Sequence, residues 1–137
     1  MRGKIFTVDE ANRTLPLVGR IADDIVATYA EVNQALAAYE AAKARGDADP
    51  EADADLRRRD REVGEVLDRF QGLIQEIEAL GGTVKDYERG FIDFYGDVGG
   101  EIVYLCWSRG EGAITHWHRL DEGYAKRRDL PSVSAAA

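Results

Sequence analysis

Residues 74–95 read Ile74-Gln-Glu-Ile-Glu-Ala-Leu80-Gly81-Gly82-Thr-Val-Lys-Asp86-Tyr-Glu-Arg-Gly90-Phe91-Ile-Asp-Phe-Tyr95, and within them the hydrophobic period changes. Before Gly81 the apolar residues Leu56, Val63, Leu67, Phe70, Ile74 and Ile77 share one stripe, so Pro50 to Leu80 reads as an amphipathic helix that Gly81-Gly82 ends. After Gly82 the chain turns to short runs of β-branched and aromatic residues: Phe91–Tyr95, Ile102–Trp107 and Ala113–His118. Two glycine-rich connections, Gly96–Gly100 and Arg109–Gly112, read as hairpin turns, and Thr83–Asp86 is a candidate fourth strand.

Upstream lies a partner for the helix. Val18, Ile21, Ile25, Tyr29, Val32, Leu36 and Tyr39 recur every three or four residues with a mean step of 3.5, the spacing of a coiled-coil seam. Gly46 suits the end of this first helix, and Asp49-Pro50 suits the start of the next. Thr7-x-x-Glu10 is a capping box that opens a short helix, and Pro16 is expected to kink or restart it. Residues 1–6 read as a short apolar lead-in with the character of an edge strand. The fold expected is α+β: a long antiparallel helical hairpin packed on a three- to four-stranded antiparallel β-meander. One domain spans residues 1–130, with 7–80 helical and 83–120 forming the meander, and residues 131–137 are expected to be a disordered tail.

Composition narrows the function classes. The 137 residues carry 18 Lys and Arg against 26 Asp and Glu, a formal net charge of -8, which disfavours binding to phosphate backbones. The basic run Arg57-Arg58-Arg59-Asp60-Arg61 is interleaved with carboxylates and reads as a salt-bridged helix face. No nucleic-acid or membrane partner is expected. The single Cys106 excludes an intramolecular disulfide and any multi-cysteine cluster. A chain without a signal-peptide core or a membrane-length apolar run is assigned to the cytoplasm. Each long helix of about 30 residues reaches about 43 Å, beyond the roughly 20 Å of a six-residue strand. The distal apolar positions Val32, Leu36, Tyr39, Leu56 and Val63 therefore lack cover, and a homodimer through the helical hairpin is expected.

The chemistry concentrates in the strand region. His116 and His118, two apart, project both imidazoles onto one face of a strand, with Trp117 on the other. Paired imidazoles on a rigid strand are half of a metal site, and Asp93, Cys106, Glu111 or Asp121 are the available additional ligands. Register decides which of them qualify. Pairing Arg109 with Gly112 sets His118 against Val103 and His116 against Leu105, an apolar setting. Pairing Ser108 with Gly112 sets His116 against Tyr104 and His118 against Ile102, on the side of Cys106. An Asp97–Gly100 turn would bring Asp93 opposite Tyr104 on that same side. Both registers remain open at this level. Cys106 as a nucleophile activated by His116 is a weaker alternative, since a buried strand cysteine usually packs as a small hydrophobe.

The motifs Phe6-Thr-Val-Asp-Glu-Ala-Asn12, Leu15-Pro16, Gly90-x-x-Asp93-Phe94, Leu105-Cys106-Trp107, Gly110-Glu111, Trp117-His118 and Gly123-x-x-x-Arg127 occur in this order along the chain. Together they resemble the bacterial domain of unknown function 2203 family from about Phe6 to Leu130. The resemblance implies little about activity. It draws attention to Glu10, Asn12, Asp93, Glu111, His118 and Arg127, and to the Trp-His pair more than to His116. It favours a site of His118 with Glu111 and Asp93, in which Arg127 is an anion or carboxylate clamp. The functional expectation is a polar small-molecule or divalent-metal site at the sheet end. His118, Glu111, Asp93 and Arg127 are its catalytic candidates, and His116, His118, Glu111 and Asp93 are its metal candidates. Imidazole and carboxylate ligands favour Zn, Mn or Fe, and an open coordination position suits a metal-dependent hydrolase or lyase. The alternative is a non-catalytic dimeric interaction or scaffold module, in which the same residues form a buried hydrogen-bond network.

Overall fold

A computed structural model describes residues 4–46 and 49–131. Its order is two long helices, α1 (Val8–Arg45) and α2 (Pro50–Ala79), followed by strands β1 (Gly82–Asp86), β2 (Phe91–Val98), β3 (Glu101–Ser108), β4 (His116–His118) and β5 (Arg128–Asp129). The strands form one antiparallel meander in sequence order. The helical hairpin on a meander is the expected architecture, with a fifth strand beyond the three or four anticipated.

Both helix starts form as their sequences dictate. The Thr7 amide donates to Glu10 Oε1 at 2.9 Å, and the Glu10 amide donates to Thr7 Oγ1 at 3.0 Å. Asp49 Oδ1 accepts from the Ala52 amide at 2.8 Å, ahead of Pro50. The restart expected at Pro16 does not occur, and α1 runs 38 residues through it. Pro16 forfeits a single backbone bond to the Asn12 carbonyl. The fully buried Ala11 and Val18 on either side hold the helix in line. Arg57, Arg58 and Arg59 pair with Asp53, Asp55 and Glu62, the salt-bridged face that the interleaving implied. Among the described residues, no helix is long and apolar enough to cross a membrane.

The change of period at Gly81-Gly82 is a change of backbone. Gly81 has φ +96°, and a Cβ there would sit 2.4 Å from the Phe6 ring. Phe6 closes this end, its amide donating to the Tyr95 carbonyl at 2.7 Å beside an isolated parallel bridge to Gly96. It stands where the N-terminal edge strand was expected; residues 1–3 lie outside the described residues. So does the expected disordered tail, apart from Pro131.

Neither anticipated register is the one formed. Gly99 and Gly100, at φ +61° and +89°, make a two-residue hairpin that pairs Val98 with Glu101 and so Asp93 with Cys106, not with Tyr104. The connection from β3 to β4 is seven residues, Arg109 to Thr115, rather than a four-residue turn. It pairs His118 with Tyr104 and His116 with Cys106. The loop is drawn out by its own anchors: Trp107 Nε1 donates to the Gly112 carbonyl at 3.0 Å, and the Ile114 amide donates to Asn12 Oδ1 of α1 at 2.7 Å. Ala113, Ile114 and Thr115 therefore leave the strand expected there.

The register divides the sheet by face. Ile92, Phe94, Leu105 and Trp107 point inward and pack with Val18, Ile21, Ile25 and Ile77 of the helices. Asp93, Tyr95, Tyr104, Cys106, His116 and His118 share the outer face. Residues 119–127 cross back over that face as a strap containing a single 3-10 turn, Tyr124–Lys126. Tyr124 stacks on Phe91 with ring centroids 3.8 Å apart.

Candidate functional site

Asp93 is a carboxylate in a largely apolar strand, and the fold buries it. Phe91 and Phe94 fix the strand, and Asp93 ends up 2% exposed between Cys106 at 1% and His118 at 2%. One ligand atom from each of the three lies within 4.8 Å of the others. A cavity of about 330 Å³ opens beside them, lined also by Lys85, Arg89, Phe91, Glu122 and Tyr124.

Hydrogen bonding fixes the histidine. His118 Nδ1 is 2.9 Å from the Arg119 carbonyl, which can only accept, so Nδ1 carries a proton. Nε2 is thereby aimed at Asp93, 3.0 Å from Oδ2. One further proton lies in that bond, on the ring or on the carboxyl. Burial pushes the Asp93 carboxyl above the ordinary carboxylate range, against the opposing charges of His118 and Lys85. Lys85 Nζ stands 3.7 Å from Asp93 Oδ2 and 3.8 Å from the centroid of the Tyr104 ring. The other carboxylate oxygen, Oδ1, is buried with no hydrogen-bond partner among the described residues. Burial, with Asp93 beside it, pushes the Cys106 thiol up to about 12, so without a metal it stays protonated and is a poor nucleophile.

The remaining candidates form two neighbouring pairs. Arg127 clasps Glu111 with two bonds, Nη1 to Oε1 at 3.1 Å and Nη2 to Oε2 at 2.9 Å. Glu111 Oε1 also accepts the Ser108 amide at 2.8 Å, and these donors hold its carboxyl below the usual range despite partial burial. Arg127 thus clamps a carboxylate of its own chain. His116, opposite Cys106 on the same face, engages other partners, with Nε2 2.9 Å from the exposed Asp129 and Nδ1 2.9 Å from Thr115 Oγ1. Of the residues singled out in the sequence, the fold unites Asp93 with His118, sets Glu111–Arg127 near them, and turns His116 to a different partner.

Two members of the cluster carried weaker signals. Cys106 stands among the extra ligands that the register could supply, and the observed register selects it. Lys85 was missed. Its position at the irregularity between Val84 and Asp86 depends on how β1 meets β2, which no local pattern reports.

A family model described as an uncharacterized conserved protein, DUF2203, matches residues 4–130. No curated protein and no solved structure matches the chain.

Proposed function

The chain belongs to the DUF2203 family, and we propose that its outer sheet face carries a divalent-metal centre with Asp93, Cys106 and His118 as ligands. Hydrolase or lyase chemistry in the adjoining cavity follows from that reading. The observation that carries it is a buried group of one oxygen, one sulfur and one nitrogen donor within 4.8 Å of one another, in which Asp93 Oδ1 has no full hydrogen bond among the described residues and only the weak thiol donor of Cys106 lies against the carboxylate. An unsatisfied buried polar atom costs about 1–3 kcal/mol, a cost that a cation bound between the three groups would offset. Nitrogen, sulfur and oxygen donors together suit zinc or iron better than calcium or magnesium. The bond from His118 Nδ1 to the Arg119 carbonyl is the outer contact that orients a ligating imidazole.

Bound there, a divalent ion would supply Lewis acidity and an activated water. The chain's own residues do the rest. Phe91 and Tyr124 wall the cavity, the strap over Asp93 and His118 limits water, and Lys85 at the mouth offers a cation to a ligand carboxylate or phosphate. Three protein ligands would leave such an ion able to take a water or a substrate atom as well.

The test is metal content. Untagged protein purified without chelator should retain close to one zinc or iron per chain, and Asp93→Asn, Cys106→Ala and His118→Ala should each lose it. His116→Ala should keep it. Metal-free native protein would sink the proposal. Lys85 favours a second reading, in which its ammonium neutralises Asp93 and the cluster is a structural network. In that case the same three substitutions lower stability by about 1–3 kcal/mol with no metal to lose.

A further inference from the structure

The two helices pack on each other, but the pair alone does not cover the apolar stripe of α2. Only Ala52 and Ile77 of the 30 residues of α2 are fully buried, so most of its apolar stripe is half-covered. On one flank of the hairpin two cavities, of about 790 and 450 Å³, both have Glu31 and Arg69 in their linings and so form one continuous groove. Its floor combines the small half-buried residues Ala35, Ala38 and Gly72 with buried Thr28 and half-buried Val66 and Leu73. Helices pack 8–10 Å apart, at the short end of that range when the residues between them are small, and this floor leaves the approach open to a third helix. From Asp24 to Ala38 the α1 wall runs about 21 Å, roughly four helical turns.

Charge identifies the occupant. The groove's two arginines are already engaged, Arg69 with Glu31 at 3.2 Å and Arg59 with Asp55 and Glu62. Asp24, Glu65, Asp68 and Glu76 line it, are exposed, and have no ion-pair partner among the described residues. A second copy of this chain is a poor fit. Both α1 and α2 hold more Asp and Glu than Lys and Arg, so either would bring like charge to an acidic rim. We propose that this groove receives a basic amphipathic helix of a partner protein, its small apolar face on this floor and its Lys or Arg flanks on the free carboxylates. The inference is independent of the metal centre, which lies on the far face of the sheet.

A labelled synthetic helix of about four turns, with an Ala/Leu face flanked by Lys and Arg, is the probe, and its Glu-flanked counterpart is the control. Fluorescence anisotropy with the full chain should show saturable one-to-one binding of the basic helix, weakened by added salt, and none of the acidic one. Glu65→Lys with Asp68→Lys on the rim should reduce affinity by roughly tenfold or more. Ala35→Trp, which fills the floor, should do the same with no change of charge. Far-ultraviolet dichroism confirms that the variants remain helical. No saturable binding, or binding that neither variant weakens, overturns the proposal. So does a self-associated chain that Ala35→Trp converts to monomer, because a second copy would then be the occupant.

Discussion

Gly96 lies within β2 because nothing larger fits there. A Cβ would meet Leu105 Cγ at 2.5 Å, and Leu105 is fully buried against the helices with no room to yield. Gly96→Ala should therefore cost about 1–3 kcal/mol in urea denaturation, as overpacking does. Gly112→Ala, at a position with nothing within 4 Å, is the matched control and should be close to neutral. Asn12 makes the comparable point for a polar residue. Its Oδ1 holds the Ile114 amide across 102 positions of sequence and so ties α1 to the loop that delivers β4. Asn12→Ala leaves that amide unpaired and should lower stability by about 1–3 kcal/mol, read from the same denaturation curves. The sequence offered Asn12 only through its place in a family motif. A long-range side-chain bond has no period and no spacing to betray it.

The strap over the outer face belongs to the element scale, and its anchors are charged. Glu122 accepts both Nη atoms of Arg128 at 2.8 Å, and Arg127 clasps Glu111. The Arg128 bonds and the Arg119 amide hold Glu122 at about 2, and Arg127 with the Ser108 amide holds Glu111 below its ordinary value. A carboxylate whose folded pKa is lowered stabilises the fold above its unfolded pKa near 4.5, and that contribution fades as pH falls toward the folded value. Stability supplied by these pairs should thus be intact at pH 6 and lost between about pH 4.5 and 2. Hydrogen exchange should show the amides of residues 119–127 losing protection across that window, and Glu122→Gln should show the loss already at pH 6. Protection unchanged down to pH 2 in both proteins would contradict the anchoring role.

Elements were legible where a pattern repeats. The helical stripes, the capping box, the Asp49-Pro50 start and the switch at Gly81-Gly82 all rest on local spacing, and each appears as read. Pairings were less legible. The β3–β4 register was decided by Trp107 and Asn12 holding an extended loop, so a rule based on turn length missed both the register and the brevity of β4. Parity nevertheless survived: the formed register sets both histidines on the Cys106 side, as one of the two anticipated registers did. The strap and β5 escaped notice because two residues of strand and one turn of 3-10 helix carry no periodicity.

At the scale of the whole molecule, the helical hairpin offers two candidate docking surfaces. The acidic groove is one. The other flank of α2 carries Leu67, Phe70 and Ile74 with Tyr87 around a separate cavity of about 370 Å³, and we propose it as the seat of the expected homodimer. Light scattering at tens of micromolar should then give close to twice the 15.2 kDa chain mass, and a monomer mass would refute the dimer. The sheet separates these surfaces from the cluster on its outer face. Helix-face substitutions such as Ala35→Trp should accordingly leave metal content unchanged.

The account turns on whether Asp93, Cys106 and His118 act as ligands, and cobalt reads that directly through the thiolate. Titrating the metal-free chain with Co²⁺ should produce a sulfur-to-cobalt charge-transfer band that saturates at one equivalent. The band should disappear in Cys106→Ala and persist in His116→Ala. A chain that binds no cobalt, or binds it without a thiolate band, would contradict the metal centre and leave the cluster a structural network.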